Sequence, residues 1–131
     1  MGRTCVEAEP IVVVSPVAAF RTLLSDELEH VGRPFIHAVE SIAQALEVAS
    51  RVNLRLIVVD CTALHARWLS VLGRLRQAAP DARIIVLGDE DEASYEREIS
   101  HCHGCSYHSK AEPMPTLLSP LISGEEYRGH R

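Results

Sequence analysis

LRLIVVDCTAL, residues 54–64, decides the fold. Leu56, Ile57, Val58 and Val59 form an unbroken apolar run that ends on a carboxylate, Asp60. The run is too short for a helix, and its β-branched residues fit a strand buried on both faces, as in a parallel sheet. IVVV (11–14) and IIVL (84–87) read the same way. PFIHAV (34–39) is a weaker fourth strand, and CSYHS (105–109), more polar, suits a sheet edge. The acid at the mouth of a core strand poses a choice between chemistry and a plain structural role. The structural role would be capping a helix that starts near residue 64, or pairing with Lys110.

Helical patterns lie between these runs. Val17, Phe20, Leu24, Leu28 and Val31 fall on one stripe, with Gly32 as a stop. Ile42, Leu46, Ala49 and Val52 make a second stripe, and Trp68, Leu72, Leu75 and Ala79 a third that Pro80 ends. Residues 89–102 open on DEDE, which favours a helix N-terminus, over a thin stripe of Ala93 and Ile99. Pro113 and Pro115 can open a fifth helix through Leu117, Leu118, Leu121 and Ile122, with Pro120 shortening or kinking it. The alternation predicts an α/β domain over residues 10–123. Its core is a doubly wound, five-stranded parallel sheet, a (βα)5 three-layer sandwich of flavodoxin-like type. Residues 124–131 read as a C-terminal linker. Such sheets place function at the carboxyl ends of their strands, here at Ser15, Asp60, Gly88 and Lys110.

Composition narrows the function. With 131 residues the chain suits one domain, and its 47% hydrophobic and 24% charged residues are ordinary for a globular protein. A net charge of −5 argues against direct nucleic-acid binding, which needs a basic face. No apolar run reaches the ~18 residues of a membrane span. MGRTCVEAEP shows no secretory signal, so a cytoplasmic protein is expected, with Cys5, Cys61, Cys102 and Cys105 as thiols. No glycine-rich nucleotide motif follows the first strand. The scattered Arg51, Arg55, Arg67, Arg74 and Arg76 read as solvated faces.

HCHGCSYH (101–108) gathers metal-ligand residue types. Cys102, Cys105, His101 and His103 are the candidate ligands of a zinc site. A single C-x-x-C without a distant second pair is a weak signal, and Cys105 to His108 would span ~10 Å of strand at ~3.3 Å per residue. The alternatives are a helix C-terminus favoured by histidine, with the thiols as small apolar side chains, or a redox pair. Cys61 and His65 do not make a nucleophile and base, because a carboxylate beside Cys61 disfavours the thiolate. No catalytic set is complete, so no enzyme is expected.

The chain resembles the receiver domain of bacterial response regulators, nearest to the NarL type that precedes a LuxR-like helix-turn-helix. LIVVD matches the strand ending on the phosphoacceptor, which implies that role for Asp60. Lys110 matches the family's phosphate-contacting lysine, Tyr107 its aromatic switch position, and GEEY the start of the linker to a DNA-binding domain. The departures lie in the pocket. The family's pair of Mg²⁺-binding acids is Ser15 and Pro16 here, and its hydroxyl residue after the fourth strand is Gly88. Leu64 and His65 stand where the family has Pro-Gly. A hard cation wants anionic oxygens, so no Mg²⁺ and no other cofactor is expected. Little or no phosphorylation then follows, because that chemistry depends on charge neutralisation at the phosphoryl group. The resemblance implies a signalling module, the regulatory input half of a transcription regulator. It would act by homodimerisation through the fourth helix, fifth strand and fifth helix, or by contact with a histidine kinase or other protein. Without the bulk of a side chain at Gly88, Tyr107 has room to turn inward with no phosphate present. The alternative is a small-molecule, metal or thiol-redox sensor on the same fold.

Overall fold

The computed structural model describes residues 10–30, 35–64, 67–89, 99 and 101–110. All five expected strands are present: β1 (Ile11–Val14), β2 (Ile36–Val39), β3 (Leu56–Asp60), β4 (Arg83–Gly88) and β5 (Cys105–Ser109). They form one sheet in the order β2-β1-β3-β4-β5, and every pair is parallel. The apolar runs take the inner places because each has neighbours on both sides and helices over both faces, so only apolar side chains suit it. The polar CSYHS run lies at one edge and the weak run of β2 at the other.

Side chains alternate between two cores, as the pleat requires. Ile11, Val13, Leu56, Val58, Ile85 and Leu87 pack on one face with Leu24 and Leu28 of α1 (Ala18–His30). Val12, Val14, Ile57, Val59, Ile84 and Val86 pack on the other with α2 (Ile42–Arg51) and α3 (Trp68–Ala78). That is the doubly wound arrangement.

The helices follow their expected stripes with local shifts. Val17 precedes α1 and is exposed, because the helix begins only at Ala18. In α2 the most buried positions are Ala45 and Val48, with Ile42, Leu46, Ala49 and Val52 packed around them. The small Ala45 lets the helix approach the sheet, and Ser41 caps its start by accepting from the Gln44 N–H. In α3, Leu72, Leu75 and Ala79 are buried and Trp68 packs against them. Arg76 does not belong to a solvated face. It is half-buried, and Nη1 donates to the carbonyls of Ala79, Pro80 and Ala82 in the turn that follows α3.

Ile99 is buried in the second core, whereas the rest of the expected fourth helix over 90–98 lies outside the described residues. The expected fifth helix and linker, Val31, Gly32 and His65 also lie outside them. Among the described residues no helix is long and apolar enough to cross a membrane.

The packing generates a direct test. Leu72→Ala, at a position 0% exposed, should cost about 2–5 kcal/mol. Leu23→Ala, at a position 45% exposed, should stay within about 0.5 kcal/mol. Urea denaturation reads both, and equal losses would contradict the assignment of faces.

Candidate functional site

Strand order brings the site together. The chain leaves β1 for one side of the sheet and returns on the other, so the ends of β1 and β3 lie side by side. Val14 pairs with Val59, and the next residues are Ser15 and Asp60. This is the switch point where doubly wound sheets hold their functional groups.

Asp60 is 1% exposed, and both of its oxygens are engaged. The Ser15 hydroxyl donates to Oδ2 at 2.6 Å. The Lys110 ammonium meets Oδ1 at 2.6 Å, and the Thr62 N–H donates to the same oxygen at 3.1 Å. Of the plain structural roles weighed for Asp60, the pairing with Lys110 operates, whereas the cap falls on the short 3-10 turn Cys61–Ala63 and not on a helix starting near residue 64, since α3 begins at Trp68. Burial alone would push its carboxyl pKa up. The bonds from Lys110, Ser15 and Thr62 outweigh burial and hold it below its ordinary value of 3.8.

Lys110 is fixed from several directions. Its N–H donates to the Gly88 carbonyl at 2.7 Å, and its ammonium lies 4.7 Å from the centre of the Phe20 ring. Asp89, mostly exposed, lies 3.7 Å away at the pocket mouth. Arg21 donates through Nη1 to the Ser15 carbonyl at 2.7 Å and faces Glu40 at 3.9 Å. Pro16 contributes no side-chain donor or acceptor. Cys61 beside the pocket is half-buried, and burial is the main cause that raises its thiol pKa. The neighbouring carboxylates add to that effect only weakly.

Tyr107 is 4% exposed and packs in the core between the sheet and α2–α3. Its ring reaches over Gly88. A Cβ at position 88 would overlap the Tyr107 hydroxyl and lie 2.7 Å from both Cε1 and Cζ. The inward ring and any side chain at position 88 exclude each other.

The expected metal-ligand cluster takes a different form. Cys102 and Cys105 are joined in a disulfide, not held as thiols. Gly104, at φ +75°, turns the loop so that the two Cα atoms come within 5.4 Å, inside the range a disulfide spans. Sulfurs bonded to each other are not thiolate ligands, and His101 and His103 point to solvent on either side of Cys102.

The structure brings Ser15, Asp60, Gly88 and Lys110 together at the carboxyl ends of the strands, with Tyr107 over Gly88. Sequence reasoning missed Arg21, Phe20, Asp89 and Glu40. Phe20 and Arg21 lie in the first turn of α1, whose side chains lean back toward the helix N-terminus and so toward the end of β1. That lean was the available signal.

No protein-family model and no curated protein matches the sequence. Solved structures do match. A response regulator from Burkholderia pseudomallei, with a phosphorylated aspartic acid, superposes with a TM-score of 0.73 at 22% identity, over 93% of this chain and 72% of the other. A CheY-like receiver domain protein from Methanospirillum hungatei gives 0.77 at 13% identity, over 93% and 97%. The chemotaxis response regulator CheY4 of Vibrio cholerae gives 0.75 at 17%, over 87% and 96%. The fold is that of a response-regulator receiver domain.

Two measurements test this geometry. The unfolded chain takes up the Asp60 proton before the folded chain does as the pH falls, so the pairing stabilises fully well above the ordinary value of 3.8 and is lost progressively as the pH falls below it, through the depressed value of the folded state. Asp60→Asn should therefore cost about 2–3 kcal/mol at pH 6. In urea titrations the gap to wild type should shrink below about pH 4, and a constant gap would refute the assignment. Separately, Gly88→Thr should expel Tyr107 from the core and cost about 1–3 kcal/mol. A crystal structure of the variant with the ring still inward would contradict the exclusion.

Proposed function

We propose that this chain is a receiver module in signal transduction that works without Mg²⁺ and with little or no phosphorylation of Asp60. On this reading it signals by protein–protein contact, as a homodimer or with a protein partner such as a histidine kinase. It would serve as the regulatory input half of a NarL-type transcription regulator in the cytoplasm. Asp60 takes the position of the phosphoacceptor, Lys110 that of the phosphate-contacting lysine, and Tyr107 that of the switch.

The observation that carries the proposal is the filled carboxylate. Ser15 and Lys110 hold one oxygen each at 2.6 Å. A phosphoacceptor attacks through a carboxylate oxygen, and here each oxygen is already committed to a hydrogen bond inside the pocket. The end of β1 does not suit Mg²⁺, which takes octahedral oxygen ligands with one or two carboxylates among them. Ser15 offers a neutral hydroxyl that is already donating, and Pro16 offers nothing. Among the described residues no three His, Cys, Asp or Glu side chains gather as a metal site. The cation of the pocket is then Lys110 itself.

The position of Tyr107 supports contact signalling. An inward aromatic normally needs a phosphoryl group to draw the facing hydroxyl away. With Gly88 there is no hydroxyl to draw, and the ring is inward already. The state of the β5 edge is thereby uncoupled from Asp60, and only a partner that binds one state better can shift it.

The test joins chemistry and association. Incubation with a small phosphodonor and Mg²⁺ should leave Asp60 unlabelled in intact-mass spectra. In analytical ultracentrifugation, Asp60→Asn should leave association unchanged, and Tyr107→Ala should weaken it by about tenfold, because it empties the core behind the β5 edge. Stoichiometric Mg²⁺-dependent labelling, or loss of association in Asp60→Asn alone, would overturn the reading.

A further inference from the structure

The Cys102–Cys105 disulfide lies at the opposite end of β5 from Lys110 and has no part in the Asp60 site. It closes a four-residue ring at the entry to the strand. Within that ring the Cys105 N–H donates to the Cys102 carbonyl at 3.1 Å. The Gly104 carbonyl accepts from the Ile84 N–H at 3.0 Å, and Ile84 pairs with Cys105 in the sheet. The ring therefore sets where β5 first joins β4. Both cysteines pack against the core that holds Tyr107, yet each keeps part of its surface in solvent.

A second feature faces the same loop. Nη2 of Arg76 lies 3.0 Å from where a Cβ on Gly104 would stand. Its Nε and Nη2 are buried and have no hydrogen-bond partner among the described residues. A buried guanidinium with unused donors beside a C-x-x-C loop favours the anionic form of a released thiol. A disulfide whose reduced form is stabilised in this way is one that opens readily.

We propose that Cys102 and Cys105 form a reversible dithiol–disulfide site, opened by cellular thiols, that fastens and releases the start of β5. In the opening step a thiolate attacks one of the two sulfurs. The Cys102–Cys105 bond breaks, a mixed disulfide forms, and the released cysteine leaves as a thiolate that takes a proton from water. A second thiolate then attacks the sulfur of the first thiol in the mixed disulfide, and the remaining cysteine leaves as a thiolate that takes a proton from water. Two electrons and two protons pass to the cysteines, and the reductant leaves as its own disulfide. Closure runs the same exchange backward with a disulfide oxidant. The proposal stands apart from the reading of Asp60, because neither step involves that pocket.

The test uses the intact chain in two buffers, one poised with reduced and oxidised glutathione and one with reduced and oxidised dithiothreitol. Alkylation followed by tryptic mapping of peptide 98–110 reads the state of the pair. The expected result is two labels on that peptide under reduction and none under oxidation, reversibly and without loss of helical circular dichroism. Opening by glutathione supports the site, and opening by dithiothreitol alone, the behaviour of a structural disulfide, overturns it. On reduction the Ile84 and Cys105 amides should exchange with deuterium about tenfold faster, the order of the constraint a ring of this size imposes. The Ile57 and Val58 amides should not change. A pair that stays closed in both buffers, one that fails to close again within a single chain, or unchanged exchange at Ile84 and Cys105 would overturn the proposal.

Discussion

A carboxylate buried at the end of a central strand must be neutralised from inside the protein, and Asp60 imposes that requirement on everything around it. An unpaired charge in its place would cost several kcal/mol, a large share of what holds a domain together. Three segments meet the demand: the residue after β1, the turn after β3 and the residue after β5. Ser15 reaches Asp60 because β1 and β3 are neighbours in register. Lys110 has farther to go, since β4 stands between β3 and β5. Two strand spacings of about 4.8 Å each suit a long flexible side chain, and the Phe20 ring under the ammonium steadies it. The pocket is built as a closed ion pair with a hydroxyl on the second oxygen.

The residue at position 88 then decides how that pocket relates to the rest of the sheet. Gly88 ends β4 and has no side chain, so the space above it belongs to Tyr107. In a receiver of the usual kind, a hydroxyl at that place links the acid to the aromatic, and movement of one is felt by the other. The absence of a side chain at position 88 and the inward placement of the ring go together. The volume that would have housed the link is filled by the tyrosine itself. Well-packed interiors leave no space for both.

Much of this was legible in the residues. Continuous Val and Ile runs have few homes other than a parallel sheet, so β1, β3 and β4 could be read directly. The polar CSYHS run could only be an edge. The site positions followed from the strand ends, because topology alone brings Ser15 beside Asp60. What escaped was set by side-chain reach, which spacing does not encode. Arg21 and Phe20 look like ordinary helix residues until α1 is placed over the end of β1. Arg76 looks like one more solvated arginine, but the end of α3 leaves three carbonyls within its span. The Cys102–Cys105 bond escaped for a different reason. Thiols are expected for such a pair only in a reducing compartment, whereas the turn at Gly104 brings the two backbones close enough to join.

β5 draws these features into one argument. An edge strand has a neighbour on one side only, so it is the least constrained member of a sheet and needs fastening from elsewhere. Here the fastenings fall in chain order: the ring closed by Cys102 and Cys105 at its start, the Tyr107 ring at its middle, the Lys110–Asp60 pair just past its end. Each rests on a different interaction. The first is covalent and answers to thiols, the second is packing and answers to whatever covers the strand, and the third is ionic and answers to pH. On the proposed reading, Gly88 leaves the second and the third uncoupled. An edge whose fastenings are independent can be set from either end, and the end that retains accessible chemistry is the one far from Asp60.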